Sequence, residues 1–226
     1  MTRYHRQFAG LGLRAALCLA ALSSGAGSNL VVNGSFDFPD DPLHGWKYRY
    51  DPEQDKNVGW YTNNHTNVSV VEREGPQKKV LSLWGDYAIL QVPGQGTKVD
   101  SDPIPVKSGG KYRFSARARS TGPDCRIMME GYKWVPGVKP HDQPKLNELR
   151  RCYRFSQLYF GKNVAGAFGG VGRDWEHVAV TLPEKTGGKL QQEILNEVQF
   201  LVIHIVAIGG SEGNLYVDDV RVERIE

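Results

Sequence analysis

The chain has 226 residues with a formal net charge of +3, and residues 1–28 hold three arginines and no acid, so the remainder balances 25 basic against 25 acidic groups. That balance excludes the broad positive field that nucleic acid binding draws on. The apolar run 15–22 is too short for a membrane span of about 20 residues, and no longer one occurs.

Residues 1–28 read as an export signal: Arg3, Arg6 and Arg14 precede a short apolar run and the small-residue stretch Ser24-Gly-Ala-Gly-Ser28. The expected mature unit is therefore 29–226, one domain of about 198 residues, secreted or periplasmic, monomeric and without a membrane span. Gly (26) and Pro (12) are spread throughout, and no long segment has helical periodicity, so strands and turns should dominate. A short strand is expected at 29–32, with a turn at Asn33-Gly34. The loop 36–61 then gathers Trp46, Tyr48, Tyr50, Trp60 and Tyr61, with Asn63, Asn64 and His65 after it. Sugar rings present apolar C–H faces that stack on such side chains while their hydroxyls seek polar groups, so Tyr48, Tyr50, Trp60 and Tyr61 are candidate binding residues. Trp46 fits a core plug better, and the others could equally pack a sandwich edge.

Residues 68–72 and 80–84 form an expected strand pair, and 87–92 a further strand. The clearest alternation follows, with Tyr112, Phe114, Ala116 and Ala118 on one face against Arg113, Ser115, Arg117 and Arg119 on the other. Residues 126–134 are expected as a strand leading into a polar, Pro-rich excursion at 136–149, longer than an ordinary hairpin loop. The chain should return along 152–160. On the first of these strands Met128, Glu130, Tyr132 and Trp134 share a face that mixes apolar, acidic and aromatic groups. With Tyr153, Phe155 and Tyr159 on the adjacent strand, and Arg117 and Arg119 across from them if the hairpins are neighbours, these residues outline a groove suited to a sugar, including an acidic one. A solvated face with Glu130 paired to arginine is the plain alternative.

Cys125 and Cys152 survive signal removal, and an even count in an oxidising compartment suggests a disulfide closing about 27 residues; two buried thiols on neighbouring strands are the alternative. Residues 175–182 are an expected strand and 190–196 a short helix. Residues 198–208 are apolar on both phases, which marks a central strand covered on both sides and makes His204 a core histidine. The last strand, 214–225, is interrupted by Asp218-Asp219. Side chains alternate across a strand, so one carboxylate is expected to face inward, where it needs an arginine, backbone N–H groups or a cation.

Nine or ten short strands separated by turns describe an all-β antiparallel sandwich, most simply a jelly roll. The opening Asn29-Leu-Val-Val-Asn-Gly-Ser-Phe-Asp37 with Gly45-Trp46, the middle Gly110-Lys-Tyr-Arg-Phe-Ser-Ala-Arg-Ala-Arg-Ser120 and the ending Leu215-Tyr-Val-Asp-Asp-Val-Arg-Val222 together resemble carbohydrate-binding module families 4, 9 and 22, jelly rolls of the galactose-binding-like group. The resemblance spans the expected mature chain in family order. It implies a non-catalytic module that binds a polysaccharide or cell-surface glycan, with a structural calcium whose side-chain ligands fall on Asp37 and Asp218. Asp stands at 37 where the family often has Glu. An exported module that recognises a protein is the rival of another class. A jelly-roll polysaccharide lyase using His204 is the enzymatic one, although the motifs that would support it are degenerate and out of order.

Overall fold

The structure is a computed structural model that describes residues 28–47, 67–73, 79–90, 96–158, 160, 172–183 and 193–225. In chain order its elements are β1 (Trp46–Lys47), β2 (Val68–Glu72), β3 (Lys79–Gly85), the helical turn α1 (Tyr87–Leu90), β4 (Gly96–Ser101), β5 (Ile104–Pro105), β6 (Tyr112–Ser120), β7 (Pro123–Trp134), β8 (Leu149–Leu158), β9 (Glu176–Leu182), β10 (Phe200–Gly210) and β11 (Gly213–Arg224). They form two antiparallel sheets. One has the order β1-β4-β10-β7-β8 with β5 also on β10, and the other has the order β2-β3-β11-β6-β9.

The core lies between these sheets. Leu201, Ile203 and Ile205 of β10 and Ile127 and Met129 of β7 meet Phe114 of β6 and Leu215, Val217, Val220 and Val222 of β11, all essentially closed to water. Each such side chain stabilises the fold by about 1.5–3 kcal/mol relative to exposure. The alternation in β6 works as its sequence requires: Tyr112, Phe114, Ala116 and Ala118 point inward, while Arg113 is exposed and Arg117 and Arg119 are half-buried outside. The doubly apolar β10 sits centrally, with Val202 and His204 on its outer face as buried as its inner residues. Trp46 is a core plug. Its ring lies 5.3 Å from that of Phe36 and its Nε1 donates to Asn33 O at 3.1 Å.

The beginning of the described chain closes onto its end. Leu30 N donates to Val222 O at 2.8 Å and Val220 N donates to Gly34 O at 2.9 Å. The Asn29 side chain bridges both sides, giving Nδ2–H to Val220 O and accepting from Val222 N at Oδ1, each at 3.0 Å. This closure needs glycine at 34, because a Cβ there would sit 2.0 Å from Val220 O. Gly34→Ala is therefore expected to lower stability by about 2 kcal/mol or more, and a denaturant melt at the wild-type midpoint would show no change if the closure were unimportant.

Several expectations are corrected. Residues 87–90 wind as a helical turn rather than a strand, since the segment turns the corner between the sheets after Gly85. Only Asn29 of 29–32 makes a strand-like bridge, to Glu223. Cys125 and Cys152 are free thiols, not a disulfide. Cys125 lies opposite Ala207 and faces the core, while Cys152 stands beside Gly131, to whose carbonyl it is 3.6 Å away. Six residues of β7 separate those levels, about 20 Å at strand rise, far beyond disulfide reach. Burial, first, and the nearby Asp124 push the Cys125 thiol well above its ordinary pKa, so it stays protonated and inert.

Candidate functional site

The outer face of the sheet containing β10 carries the residues most unlike a plain surface. Strand pairing sets Val202 against Glu130, Phe200 against Tyr132 and His204 against Asp100, while Tyr132 pairs with Arg151 and Trp134 with Leu149. Two neighbouring zones result. One is apolar, a small cluster of Tyr132, Leu149, Phe200 and Val202 with Trp134 and Leu146 packed onto it. Trp134 meets Phe200 edge-on, with ring centroids 5.4 Å apart, and His141 of the β7–β8 excursion at 5.1 Å. The excursion is held by Val135 N–H to Glu148 O at 3.0 Å and by Glu148 Oε2, which accepts from Lys145 N at 2.7 Å. It brings Leu146 and His141 back over the tryptophan.

The other zone is a chain of buried charge. Glu130, 8% exposed, accepts from Tyr132 Oη at 2.7 Å and from Arg151 Nη1 at 2.8 Å. His204, 3% exposed, has Nδ1 2.6 Å from Asp100 Oδ1 and Nε2 3.3 Å from Glu130 Oε2, the latter without hydrogen-bond alignment. Lys98 Nζ completes the series 3.0 Å from Asp100 Oδ1. Burial raises the Glu130 pKa, but His204, Tyr132 and Arg151 outweigh it and hold the carboxyl down at about 2. Burial likewise lowers the His204 pKa, and Asp100 and Glu130 outweigh that so the net value is raised, with Lys98 opposing. A histidine whose folded pKa is raised contributes stability below its unfolded value near 6.5, and that contribution fades as pH climbs through the folded value. Thermal melts from pH 6.5 upward should therefore show a falling midpoint that His204→Gln flattens; equal slopes in both proteins would contradict the assignment.

Glu130, Tyr132 and Trp134 thus share one face with Arg151. Arg117 does not join them. It belongs to β6 in the opposite sheet, so the guanidinium beside Glu130 is that of Arg151. The chain crosses between sheets at Thr121-Gly122, and a hairpin between β6 and β7 never forms. Tyr153, expected on the groove, packs in the core instead. Tyr48, Tyr50, Trp60, Tyr61 and Tyr159 lie outside the described residues, as does the Phe155 side chain. Sequence reasoning missed Lys98, Asp100 and Arg151. The available signal was that a histidine in an all-apolar strand needs a carboxylate, which the alternate positions Lys98 and Asp100 supply one strand away.

The second place of interest is the chain closure. β11 is irregular between Asp218 and Arg221, and Asp219 adopts a positive φ of 51°. Asp218 keeps the outward phase of Tyr216 by ordinary alternation, and the bulge after it resets the phase so that Val220 and Val222 point inward; Asp218 nevertheless remains only 7% exposed. Asp218 Oδ1 accepts from Asp219 N at 2.7 Å, and Arg221 Nε donates to Asp219 Oδ1 at 2.6 Å. Burial pushes the Asp218 pKa up to about 6; the carboxylates of Asp219 and Asp37 add to the rise, while the Asp219 N–H and Arg117 oppose it. A buried carboxylate crowded by two others is the kind of site a hard, oxygen-seeking cation relieves. Among the described residues no group of three or more His, Cys, Asp or Glu side chains is arranged around a metal position. Asp37 and Asp218 would therefore need backbone carbonyls and water as further ligands. A cleft of about 600 Å³ lined by Asp37, Glu72, Arg73 and Lys79 opens beside the closure.

No protein-family model matches the sequence. Comparison with curated proteins likewise finds no match. Several solved structures are similar to the chain. The enzymatically active domain of tailspike protein 4 from bacteriophage CBA120 aligns over 87% of this chain and 21% of its own, at 13% identity and a TM-score of 0.50. A family 16 carbohydrate-binding module aligns over 86% of this chain and 99% of its own, at 15% identity and a TM-score of 0.45. The family 22 xylan-binding domain of Paenibacillus barcinonensis Xyn10C aligns over 90% and 99%, at 11% identity and a TM-score of 0.46. By its own topology the chain is an antiparallel β-sandwich of two sheets. Among the described residues no helix is long and apolar enough to cross a membrane.

Proposed function

We propose that this protein is an exported, non-catalytic module that binds a polysaccharide or cell-surface glycan on the outer face of the β10 sheet, with a calcium ion at the chain closure. The observation that carries the proposal is the adjacency of a half-buried tryptophan, Trp134, to a hydrogen-bonding array of Tyr132, Glu130 and Arg151. Apolar sugar faces stack on the first, and hydroxyls exchange hydrogen bonds with the second. Catalysis is disfavoured by the way the charged groups are committed. His204 is buried, with Nδ1 on Asp100 and Nε2 turned toward Glu130 inside the sheet, so neither nitrogen is within reach of a substrate proton.

Calcium at Asp37 and Asp218 would supply charge neutralisation and hold the closure; the residues themselves provide two carboxylates and the bulged backbone around Asp219. The export-signal pattern of residues 1–28 supports a module that works outside the cytoplasm as a monomer, where half-buried Trp134 and exposed Arg151 are open to a glycan. Calorimetric titration against neutral oligosaccharides should give saturable binding at millimolar ligand or below. Trp134→Ala should weaken it roughly tenfold or more, the size of one lost stacking contact. Unchanged affinity in a folded Trp134→Ala protein would move the site elsewhere.

A further inference from the structure

The sheet opposite the proposed glycan face has an outer surface that the glycan proposal leaves unused. Register places Arg119 of β6 opposite Tyr216 of β11, and Tyr216 opposite Ser82 of β3. Trp175, just before β9, completes a row across the sheet. The Arg119 guanidinium lies 4.9 Å from the Tyr216 ring centroid and 5.8 Å from that of Trp175. Arg73 lies over the same tyrosine at 3.9 Å, and Arg117 is 5.8 Å from Trp175. Three guanidinium groups are thus gathered on two aromatic rings, and all five side chains are half-buried.

Like charges are not collected this closely without something to answer them. Arg117 has Asp218 as its register partner on β11. Among the described residues neither Arg73 nor Arg119 has a carboxylate partner, and the Arg119 Nε–H is closed to solvent with no acceptor. Stacking on a ring holds a guanidinium by its face and leaves the Nη donors at its edge, which for Arg119 are the donors other than the closed Nε, to match the oxygens of a carboxylate or sulfate. We propose that the Trp175–Arg119–Tyr216–Arg73 row is a second binding site, separate from the Trp134 face, for the charged groups of an anionic polysaccharide. The row is short and the 29–226 unit carries balanced charge, which favours a few fixed anions over the long track that nucleic acid requires.

The full mature protein would be titrated with polygalacturonate, dextran sulfate and uncharged dextran, with single-stranded DNA as the competing polyanion. Polygalacturonate or dextran sulfate should bind and dextran should not; preference between the two identifies the carboxylate or the sulfate as the natural group. Arg119→Gln and, independently, Arg73→Gln should each weaken that binding roughly tenfold, whereas Arg113→Gln, an exposed arginine of the same strand, should not. Arg119→Lys should fail to restore it, because ammonium lacks the planar fork. Binding of neither anionic polymer, equal loss in Arg113→Gln, or DNA bound as tightly as the polysaccharides would overturn the proposal. Trp134→Ala leaves this binding intact, so its outcome is separable from that of the neutral-glycan site.

Discussion

Glu130→Ala is expected to lower stability on the order of 3–5 kcal/mol, the usual effect of removing one partner from a buried ionic network. The reason is what remains. Tyr132 Oη and Arg151 Nη1 lose their acceptors, and His204, raised toward its charged form by Asp100 and Glu130 together, loses one of the two groups that keep it there. Glu130→Gln retains shape and one acceptor, so it should lose less and should bring the His204 pKa down. The Glu130 carboxyl, held at about 2, contributes its stability above the unfolded value near 4.5 and loses it as pH falls toward 2. The wild type should thus lose its advantage over Glu130→Gln under acid. A Glu130→Ala protein that melts like the wild type at neutral pH would show that the network contributes nothing net.

Calcium chelation is expected to lower the melting temperature of the wild type, and Asp218→Asn should abolish that response while raising the midpoint of the chelated protein. The two effects have opposite signs for one physical reason. Without a cation, Asp218 is a nearly buried carboxylate facing Asp37 and Asp219, and Asn removes the charge while keeping the size and an acceptor for Asp219 N–H. The relief is on the order of 2 kcal/mol. With calcium at about a hundred times its dissociation constant, the wild type gains about 2.7 kcal/mol that the Asn variant does not. If chelation changes nothing in the wild type, no calcium holds the closure. If Asp218→Asn also destabilises the chelated protein, the carboxylate is satisfied by the protein itself.

Periodicity made the central elements legible. Residues 198–208, apolar on both phases, are β10 at the middle of its sheet, and the alternation at 112–119 is β6 with its alanines and phenylalanine inward. The Gly-Trp pair placed Trp46 in the core, and Met128, Glu130 and Tyr132 do share the outer phase of β7, with Trp134 packed beside Tyr132. Sheet membership was not legible, because a turn such as Ser120-Thr-Gly-Pro reads the same whether it closes a hairpin or carries the chain to the other sheet. That ambiguity assigned Arg117 to Glu130 in place of Arg151. An even cysteine count likewise suggested a disulfide that strand register forbids, and strict alternation at Asp218-Asp219 overlooked a bulge, which adds a residue and resets the phase. Lys98 and Asp100 escaped notice because their role depends on a neighbour that is about a hundred residues away in sequence and one strand away in space.

The most direct measurement is a map of backbone and indole amide resonances with and without a saturating neutral oligosaccharide. The glycan site predicts perturbations concentrated at the Trp134 indole, Tyr132, Arg151 and the 135–148 excursion, with β6 and β11 unmoved. Shifts confined to the opposite sheet, or none at any concentration short of nonspecific effects, would contradict it.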